Sequence, residues 1–317
     1  MSDIPVVSLA SSDAPRRLVE AWSSIGFVSI VDHGLSTDLI AAMRTLCRQV
    51  FALDDATKDA WRITRSSYRG FVPLGFFTPN RAEITGAQPD QYESFKLHWE
   101  CPETHPVRAE CHLYGSNRWL PELPQMRRIV LEYWHGCERI GDELLAAIAP
   151  VLGMSASELC QLHGAGLSNM TLLHYPEQPA LDPVMGIHPH KDTNVLTLLH
   201  PDPVGGLEVR TPDGGWVEPE ARPDALVVNT GEMLESWSGG RLAATAHRVI
   251  NRSGAERYSF PWFLVPRHDV VVAPLVTPLA GRNYVPMPVG ELSAEVWRTN
   301  WPDAASDTRF DLGSLDD

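Results

Sequence analysis

From Gly166 onward, the chain consists of short β-rich segments separated by turn-forming residues. Examples are "LSNMTLLHY", "NVLTLLH", "ALVVNTG" and "ATAHRVIN", and Pro, Gly, Asp and Asn lie between them in stretches such as "PDPVGG" and "TPDGGW". Many closely spaced strands joined by turns are typical of a sandwich, jelly roll or barrel. This half of the sequence therefore predicts a fold that is mainly β.

The first 60 or so residues predict a mixed α/β layer. "IPVVSL" and "GFVSIV" have the composition of strands, and the residues from Ala14 to Ser24 place apolar side chains at helical spacing. A second apolar stripe begins after Ser36 and Thr37, either of which can cap a helix. The helices and strands of this layer are expected to flank the β core.

A long helix is predicted from about Pro124 to Leu152, because its apolar residues recur at three- and four-residue steps. Residues 62–121 show weak periodicity and many Pro, Gly and aromatic residues, which predicts loops with short strands. No linker interrupts the chain, so we expect one domain over residues 1–317. Its four regions are an N-terminal mixed α/β region and loops (1–121), a helical spine (122–165), a jelly-roll core (166–275), and a C-terminal helix with an acidic tail (276–317).

The net charge limits the kinds of partner that the chain can bind, and the cysteine content limits its cellular compartment. A formal net charge of −14 argues against nucleic acid and against an anionic membrane surface, because both are polyanions. Five cysteines without a C-x-x-C pair indicate free thiols in a reducing compartment. The N-terminus lacks the pattern of a signal peptide, and no apolar run is long enough to span a bilayer. We expect a cytoplasmic protein, a monomer or weak homo-oligomer, that acts on a small molecule.

The stretch "GIHPHKDTNVLTLLH" places histidine and aspartate in an apolar run, where unpaired polar groups are costly. On a strand, His190 and Asp192 would point to the same face, and an imidazole with a carboxylate suits a divalent transition metal. His200, His247 and His268 are candidates for a third ligand. His247 is the best placed, because "TAHRVIN" has the composition of a core strand.

A second pair of polar residues follows His247. Arg257 and Ser259 alternate on one predicted strand, so a guanidinium and a hydroxyl project together, and this pair suits a carboxylate. Two histidines and one carboxylate leave open positions on a metal. A carboxylate clamp beside such a metal is typical of a site that chelates a keto-acid.

The sequence resembles the isopenicillin-N-synthase-like branch of the 2-oxoglutarate- and iron(II)-dependent oxygenases. "GFVSIVDHGL", "YESFKLHWECP", "LLHYPEQP", "HKDTNVLTLL" and "ERYSFPWFLVP" follow in family order. An H-x-D triplet alone is weak evidence. Here a histidine follows Asp192 by 55 residues, and an R-x-S motif follows that histidine by ten, which makes the match specific.

The resemblance implies a double-stranded β-helix (a jelly-roll, cupin-like core) and assigns the site. His190, Asp192 and His247 would be catalytic and would bind Fe(II), while Arg257, Ser259 and Tyr175 would hold the distal carboxylate of 2-oxoglutarate. Leu173 stands where many members have an asparagine that touches the keto-acid end. The implied reaction uses O₂ and 2-oxoglutarate, releases succinate and CO₂, and hydroxylates or otherwise oxidises a substrate through a ferryl species that abstracts hydrogen.

The substrate is predicted less sharply. Aromatic and cationic residues near the expected pocket are candidate contacts: Tyr68, Arg69, Phe71, Phe95, Trp262 and Phe263. The composition favours a bacterial source, and bacterial members often work in secondary metabolism, including antibiotic biosynthesis. We expect His188, His174 and His200 to have structural roles.

Three alternatives remain open at this stage. An oxidase of the same fold that does not use 2-oxoglutarate, of the isopenicillin-N-synthase or ethylene-forming type, also keeps R-x-S. A zinc hydrolase could use the same three ligands, but no positioned general base is evident. A non-catalytic protein of the fold would be expected to have lost a ligand, and all three are present.

Overall fold

The computed structural model describes residues 4–77, 88–179, 184–299 and 301–302. The strands are β1 (Val6–Ser8), β2 (Phe27–Val31), β3 (Gly70–Val72), β4 (Glu93–His98), β5 (Asn169–Tyr175), β6 (Met185–His190), β7 (Leu196–Leu199), β8 (Leu207–Arg210), β9 (Trp216–Val217), β10 (Leu226–Thr230), β11 (His247–Ile250), β12 (Arg257–Ser259), β13 (Trp262–Leu264), β14 (Val271–Val272) and β15 (Met287–Pro288). The helices are α1 (Ala14–Ser24), α2 (Thr37–Phe51), α3 (Asp55–Ala60), α4 (Val107–Glu110), α5 (Met126–Ile148), α6 (Ala156–Gln161), α7 (Glu232–Trp237) and α8 (Val289–Thr299), with a 3₁₀ turn (Ala149–Leu152) after α5.

Two sheets form the centre of the molecule. The larger has the order β1-β2-β10-β7-β13-β5-β4-β3, with β12 also paired to β5, and the smaller has the order β6-β11-β8-β9. β1 runs parallel to β2, and the other pairs are antiparallel. Two facing, largely antiparallel sheets with flanking helices confirm the predicted mainly β, jelly-roll class.

Strand alternation divides the buried residues into two clusters. On β5, Met170 and Leu172 belong to a cluster that packs against the helices, which we call the helix-side cluster. Leu173 and Tyr175 belong to the cluster between the two sheets. Successive side chains of a strand point to opposite faces, so one strand supplies both clusters. We call the space between the sheets the barrel interior.

The N-terminal layer agrees with the sequence prediction. α1 spans Ala14–Ser24, and β2 follows it directly. Ser36 is the cap of α2, because its hydroxyl accepts a hydrogen bond from the Leu39 amide at 3.1 Å. An N-cap hydroxyl satisfies one of the amides that a helix start leaves unpaired.

The spine helix α5 packs on the outer face of the larger sheet. It runs from Met126 to Ile148, slightly shorter than predicted, since the 3₁₀ turn covers the remaining residues. The Trp134 ring meets the Trp262 ring edge to face, with centroids 5.9 Å apart. None of the described helices is both long and apolar enough to cross a membrane.

Trp262 and Phe263 are adjacent on β13, so their side chains point to opposite faces of the strand, and this facing can be tested. Trp262 is fully buried against α5, whereas Phe263 lines a cavity that Asp192 and α8 also line. We expect Trp262→Ala to lower the free energy of unfolding by about 3–5 kcal/mol, because it leaves a large void in a packed core. The matched variant Phe263→Ala should lower the free energy of unfolding by clearly less than Trp262→Ala. Urea unfolding of both variants checks this, and equal losses would contradict the facing assigned to β13.

Candidate active site

Three metal-ligating side chains converge at one end of the smaller sheet. His190 on β6 pairs with His247 on β11, and their ring centroids are 4.3 Å apart. The Asp192 carboxylate oxygen Oδ1 lies 3.7 Å from Nε2 of each histidine. The three ligand atoms all lie within 4.8 Å of one another, a spacing that a single metal ion can bridge.

Asp192 does not occupy a strand position, although the sequence pattern places it on one. β6 ends at His190, and the chain then turns before β7 begins at Leu196. The turn brings the carboxylate back towards the two imidazoles. The three candidate ligands therefore come from a strand end, the following turn and the neighbouring strand of the same sheet.

Backbone carbonyls set the orientation of both imidazoles. His190 Nδ1 donates to the His188 carbonyl at 2.8 Å, and His247 Nδ1 donates to the Thr245 carbonyl at 3.2 Å. With Nδ1 directed to a carbonyl in this way, each ring presents its Nε2 towards Asp192. Hydrogen bonds of this kind fix the tautomer that a metal ligand needs.

The carboxylate of Asp192 is fixed by two donors from the larger sheet. Its Oδ2 atom accepts hydrogen bonds from Thr197 Oγ1 at 2.5 Å and from Asn229 Nδ2 at 2.8 Å. Thr197 and Asn229 are paired across β7 and β10. Neither residue was predicted from the sequence, although each is a polar residue within an apolar run, "VLTLL" and "LVVNT".

Charge at the site favours metal binding at neutral pH. Burial acts to raise the pKa of the Asp192 carboxyl, but His247, His190 and the hydrogen bonds from Thr197 and Asn229 outweigh burial and lower it. Burial, aided by the nearby His190, lowers the pKa of His247 to about 4. The carboxylate is therefore ionised and the His247 imidazole neutral, which are the forms that bind metal.

Arg257 is a buried cation with an unused donor. Its side chain extends over the Tyr175 ring, 4.7 Å from the ring centroid, and its Nε donates to the Gly205 carbonyl at 2.7 Å. Its Nη1 has no hydrogen-bond partner within the part of the chain that the structure describes. No carboxylate of the described residues forms an ion pair with it. A buried guanidinium in this state is suited to an anionic ligand.

Ser259 and Tyr175 lie next to Arg257. Arg257 pairs with Tyr175 and Ser259 with Leu173 across β12 and β5, so the four residues share the inner face. Burial raises the pKa of Tyr175 to about 12, so its phenol stays protonated and can donate a hydrogen bond. The structure thus brings together the three residues of the predicted carboxylate clamp.

A surface turn supports the carbonyl that orients Arg257. Asp202 accepts from Arg44 Nη1 at 2.6 Å and from the Val204 amide at 2.8 Å. The turn then reaches Gly205, whose φ of +77° is one that glycine adopts readily. An ion pair to α2 therefore stabilises the loop behind the clamp.

A cavity of about 190 Å³ adjoins Asp192. Tyr68 and Phe263, two of the predicted substrate contacts, line it. Phe71, Phe95 and Trp262 instead lie in the helix-side cluster. Arg69 is buried beside the cavity and donates to the Leu113 carbonyl at 2.9 Å.

The histidines that were expected to have structural roles, His188, His174 and His200, have other partners. His188 Nδ1 lies 2.6 Å from the Asp90 carboxylate, and His174 Nδ1 lies 2.8 Å from Glu93. His200 contacts Arg44 through Nδ1 at 3.1 Å. Their side chains therefore contribute to local networks outside the group of three ligands.

Comparison with known families agrees with this geometry. Residues 167–266 match the model of the 2OG-Fe(II) oxygenase superfamily, and residues 4–122 match the model described as the N-terminal region of non-haem dioxygenases in morphine synthesis. The 2′-deoxymugineic-acid 2′-dioxygenase of Hordeum vulgare is 30% identical over 283 residues, which cover 88% of this chain and 79% of the relative. The chain belongs to the 2-oxoglutarate- and iron(II)-dependent oxygenases.

Two further relatives extend the comparison. The validamycin A dioxygenase of Streptomyces hygroscopicus subsp. limoneus is 28% identical over 310 residues, covering 91% of this oxygenase and 84% of that protein. The crystal structure of a 2OG-Fe(II) oxygenase family protein from Caulobacter crescentus is 29% identical, with a TM-score of 0.80 and coverage of 94% and 99% of the two chains. The fold is accordingly a double-stranded β-helix. The oxygenase uses Fe(II), with 2-oxoglutarate and O₂ as co-substrates.

The hydrogen bonds to Asp192 give a direct prediction. We expect Thr197→Val in this oxygenase to weaken metal binding by about 10- to 100-fold, because the carboxylate loses a partner that holds it in place. Anaerobic Fe(II) titration measures the affinity. Ser94→Ala is the matched control, since Ser94 is a buried residue of β4 whose hydroxyl has no hydrogen-bond partner among the residues described. Unchanged affinity in Thr197→Val would show that Thr197 does not position the ligand.

Proposed function

We propose that His190, Asp192 and His247 are the iron ligands of this oxygenase. The convergence of two imidazoles and one ionised carboxylate carries this assignment. Two histidines and a carboxylate with open positions suit non-haem Fe(II). The bound iron supplies the activation of O₂ and the oxidation of the substrate.

We further propose that Arg257, Ser259 and Tyr175 bind the distal carboxylate of 2-oxoglutarate. The unpartnered Nη1 of Arg257 supports this role, since a carboxylate would complete its hydrogen bonding. The neutral phenol of Tyr175 and the hydroxyl of Ser259 add donors on the same face. The clamp orients the co-substrate along the barrel interior towards Asp192.

The keto-acid end of 2-oxoglutarate would meet a different surface from that of many relatives. Leu173 lies opposite Ser259 on the inner face and offers no donor. We propose that the clamp and the metal together hold the co-substrate, without a side-chain hydrogen bond from position 173. The apolar Leu173 would instead help to exclude water from this part of the interior.

The rest of the chain positions these groups. Thr197 and Asn229 hold the carboxylate of Asp192, and the carbonyls of His188 and Thr245 hold the imidazoles. The cavity beside Asp192 would receive a small-molecule substrate. Its aromatic lining would keep water from the reacting carbon.

We propose oxidation, most simply hydroxylation, of a small molecule in bacterial secondary metabolism. The composition motivates this assignment, and the named validamycin A dioxygenase supports it. The named barley relative acts on a different compound, 2′-deoxymugineic acid. Decarboxylation of 1-¹⁴C-labelled 2-oxoglutarate, stimulated by a substrate and matched by succinate release, tests the reaction class. Substrate oxidation at full rate without 2-oxoglutarate would overturn the assignment in favour of an oxidase.

We propose that residues 1–317 act as one cytoplasmic domain, a monomer or weak homo-oligomer, with the four regions predicted from the sequence. The helix-side cluster supports a single unit, because it includes residues from Val7 to Leu292. The five free cysteines support a reducing compartment. Size-exclusion chromatography with light scattering tests the oligomeric state.

The clamp gives a prediction about co-substrate affinity. We expect Arg257→Gln to raise the KM for 2-oxoglutarate by about 10- to 100-fold, because a charge-assisted hydrogen bond to the carboxylate is lost. Steady-state decarboxylation measures the change. Arg248→Gln is the matched control, because Arg248 pairs with Glu208 on the smaller sheet at 2.6 Å. A KM equal to that of the unaltered enzyme would refute the clamp.

A further inference from the structure

Lys96 is a cation in the cavity wall, and no acidic side chain of the described segments is paired with it. It lies on β4 opposite Thr171 of β5, and its Nζ donates to Thr171 Oγ1 at 3.3 Å. The ammonium also lies 5.6 Å from the Tyr68 ring centroid and 5.4 Å from that of Phe77. No carboxylate of the described residues forms an ion pair with it.

This environment is costly for a positive charge. Burial, with no opposing acid, lowers the pKa of Lys96 to about 8. Two aromatic faces and one hydroxyl compensate only part of the lost hydration. A hydrophobic residue would fill the same space at lower cost, so the ammonium is better suited to a ligand than to holding the fold together.

The cavity that Lys96 lines also contains the metal ligand Asp192. Its wall is otherwise mainly aromatic and apolar, with contributions from β4, β13, α8 and the segments that precede β3 and β5: Tyr68, His98, Leu167, Phe263, Val296 and Trp297. Burial lowers the pKa of His98 well below its usual value, so this imidazole is neutral. Lys96 is therefore the one cationic side chain among the described residues that line the cavity.

We propose that Lys96 and Thr171 bind a carboxylate of the substrate, and that the substrate is a monocarboxylate with an apolar or aromatic body. The proposal rests on the proposed function, in which this cavity receives the substrate. One ammonium and one hydroxyl match a singly charged carboxylate, whereas a phosphate dianion would require further cations. The aromatic wall would enclose the body of the molecule and direct a carbon towards the metal ligands.

The role of Lys96 is distinct from that of the clamp. Thr171 and Tyr175 both point into the barrel interior from β5, but Thr171 pairs with Lys96 and Tyr175 with Arg257. The two cations are thus separated by the row of Leu173 and Ser259. One carboxylate site would serve the co-substrate and the other the substrate.

Calorimetric titration with a matched acid and amide tests the proposal. The probes are 3-phenylpropionate and 3-phenylpropionamide, added to the protein loaded with Mn(II) and 2-oxoglutarate. We expect the acid to bind about 10- to 100-fold more tightly than the amide. Lys96→Met should abolish this preference, and Lys96→Arg should retain it. Arg128→Met, which removes an exposed charge on α5, should leave it unchanged.

A second measurement separates ligand binding from a structural role. Because the ammonium has no acidic partner, Lys96→Met should unfold at the same temperature as the unaltered protein or at a higher one. If the variant does not fold, Lys96→Gln takes its place in both measurements. A lower unfolding temperature in the variant used would contradict the proposal.

The outcomes also distinguish this proposal from the proposed function. Equal binding of acid and amide, or no binding of the acid to the unaltered protein, overturns the substrate carboxylate site while 2-oxoglutarate still binds. A rise in the KM for 2-oxoglutarate in Lys96→Met, with the acid preference intact, also overturns it by assigning Lys96 to the co-substrate. Failure of Mn(II) and 2-oxoglutarate to bind would overturn the proposed function itself.

Discussion

The buried carboxylate of Asp192 is the constraint on which the site depends. A charge between two sheets is expensive unless several partners compensate for it. Here Thr197 and Asn229 saturate one oxygen, and the other faces two imidazoles. The donors come from the larger sheet and the imidazoles from the smaller one. Compensation of this one carboxylate therefore depends on the relative position of both sheets. A bound divalent metal would complete the compensation of its charge.

The barrel interior carries its polar groups in an ordered series along β5. Tyr175 lies opposite Arg257, Leu173 opposite Ser259, and Thr171 opposite Lys96. Each of these inward residues thus lies opposite a different kind of side chain, while the alternate residues of the strand pack on the helix side. In the proposed function, one short strand would contribute to co-substrate binding, water exclusion and substrate binding without any change in its outer packing.

Much of the site was predictable because it follows local rules. The spacing of H-x-D, the later histidine and R-x-S indicated five residues that the structure brings into one interior, and α1 has the bounds expected from its pattern. The partners of those residues were not predictable in this way. Thr197 and Asn229 meet Asp192 only through the pairing of β7 with β10, which periodicity does not specify. Asp192 itself lies on a turn, because β6 ends before it.

The substrate contacts show the same limit. Trp262 and Phe263 are adjacent and equally aromatic, so composition alone nominates both, but alternation sends only Phe263 into the cavity. From the sequence, Lys96 could not be distinguished from an ordinary strand lysine, because only the pairing of β4 with β5 places Thr171 opposite it. Long-range strand pairing, rather than any local signal, determines which polar residues face the proposed metal ligands.

Iron and 2-oxoglutarate are proposed to bind together at His190, Asp192 and His247. Anaerobic absorption spectroscopy of the protein with Fe(II) and 2-oxoglutarate tests it most directly. A visible charge-transfer band of the chelate should form in the unaltered protein and should be lost in Asp192→Ala, while a variant of His188, whose side chain binds Asp90 instead, should retain it. Absence of the band in the unaltered protein, or its persistence in Asp192→Ala, would contradict the assignment.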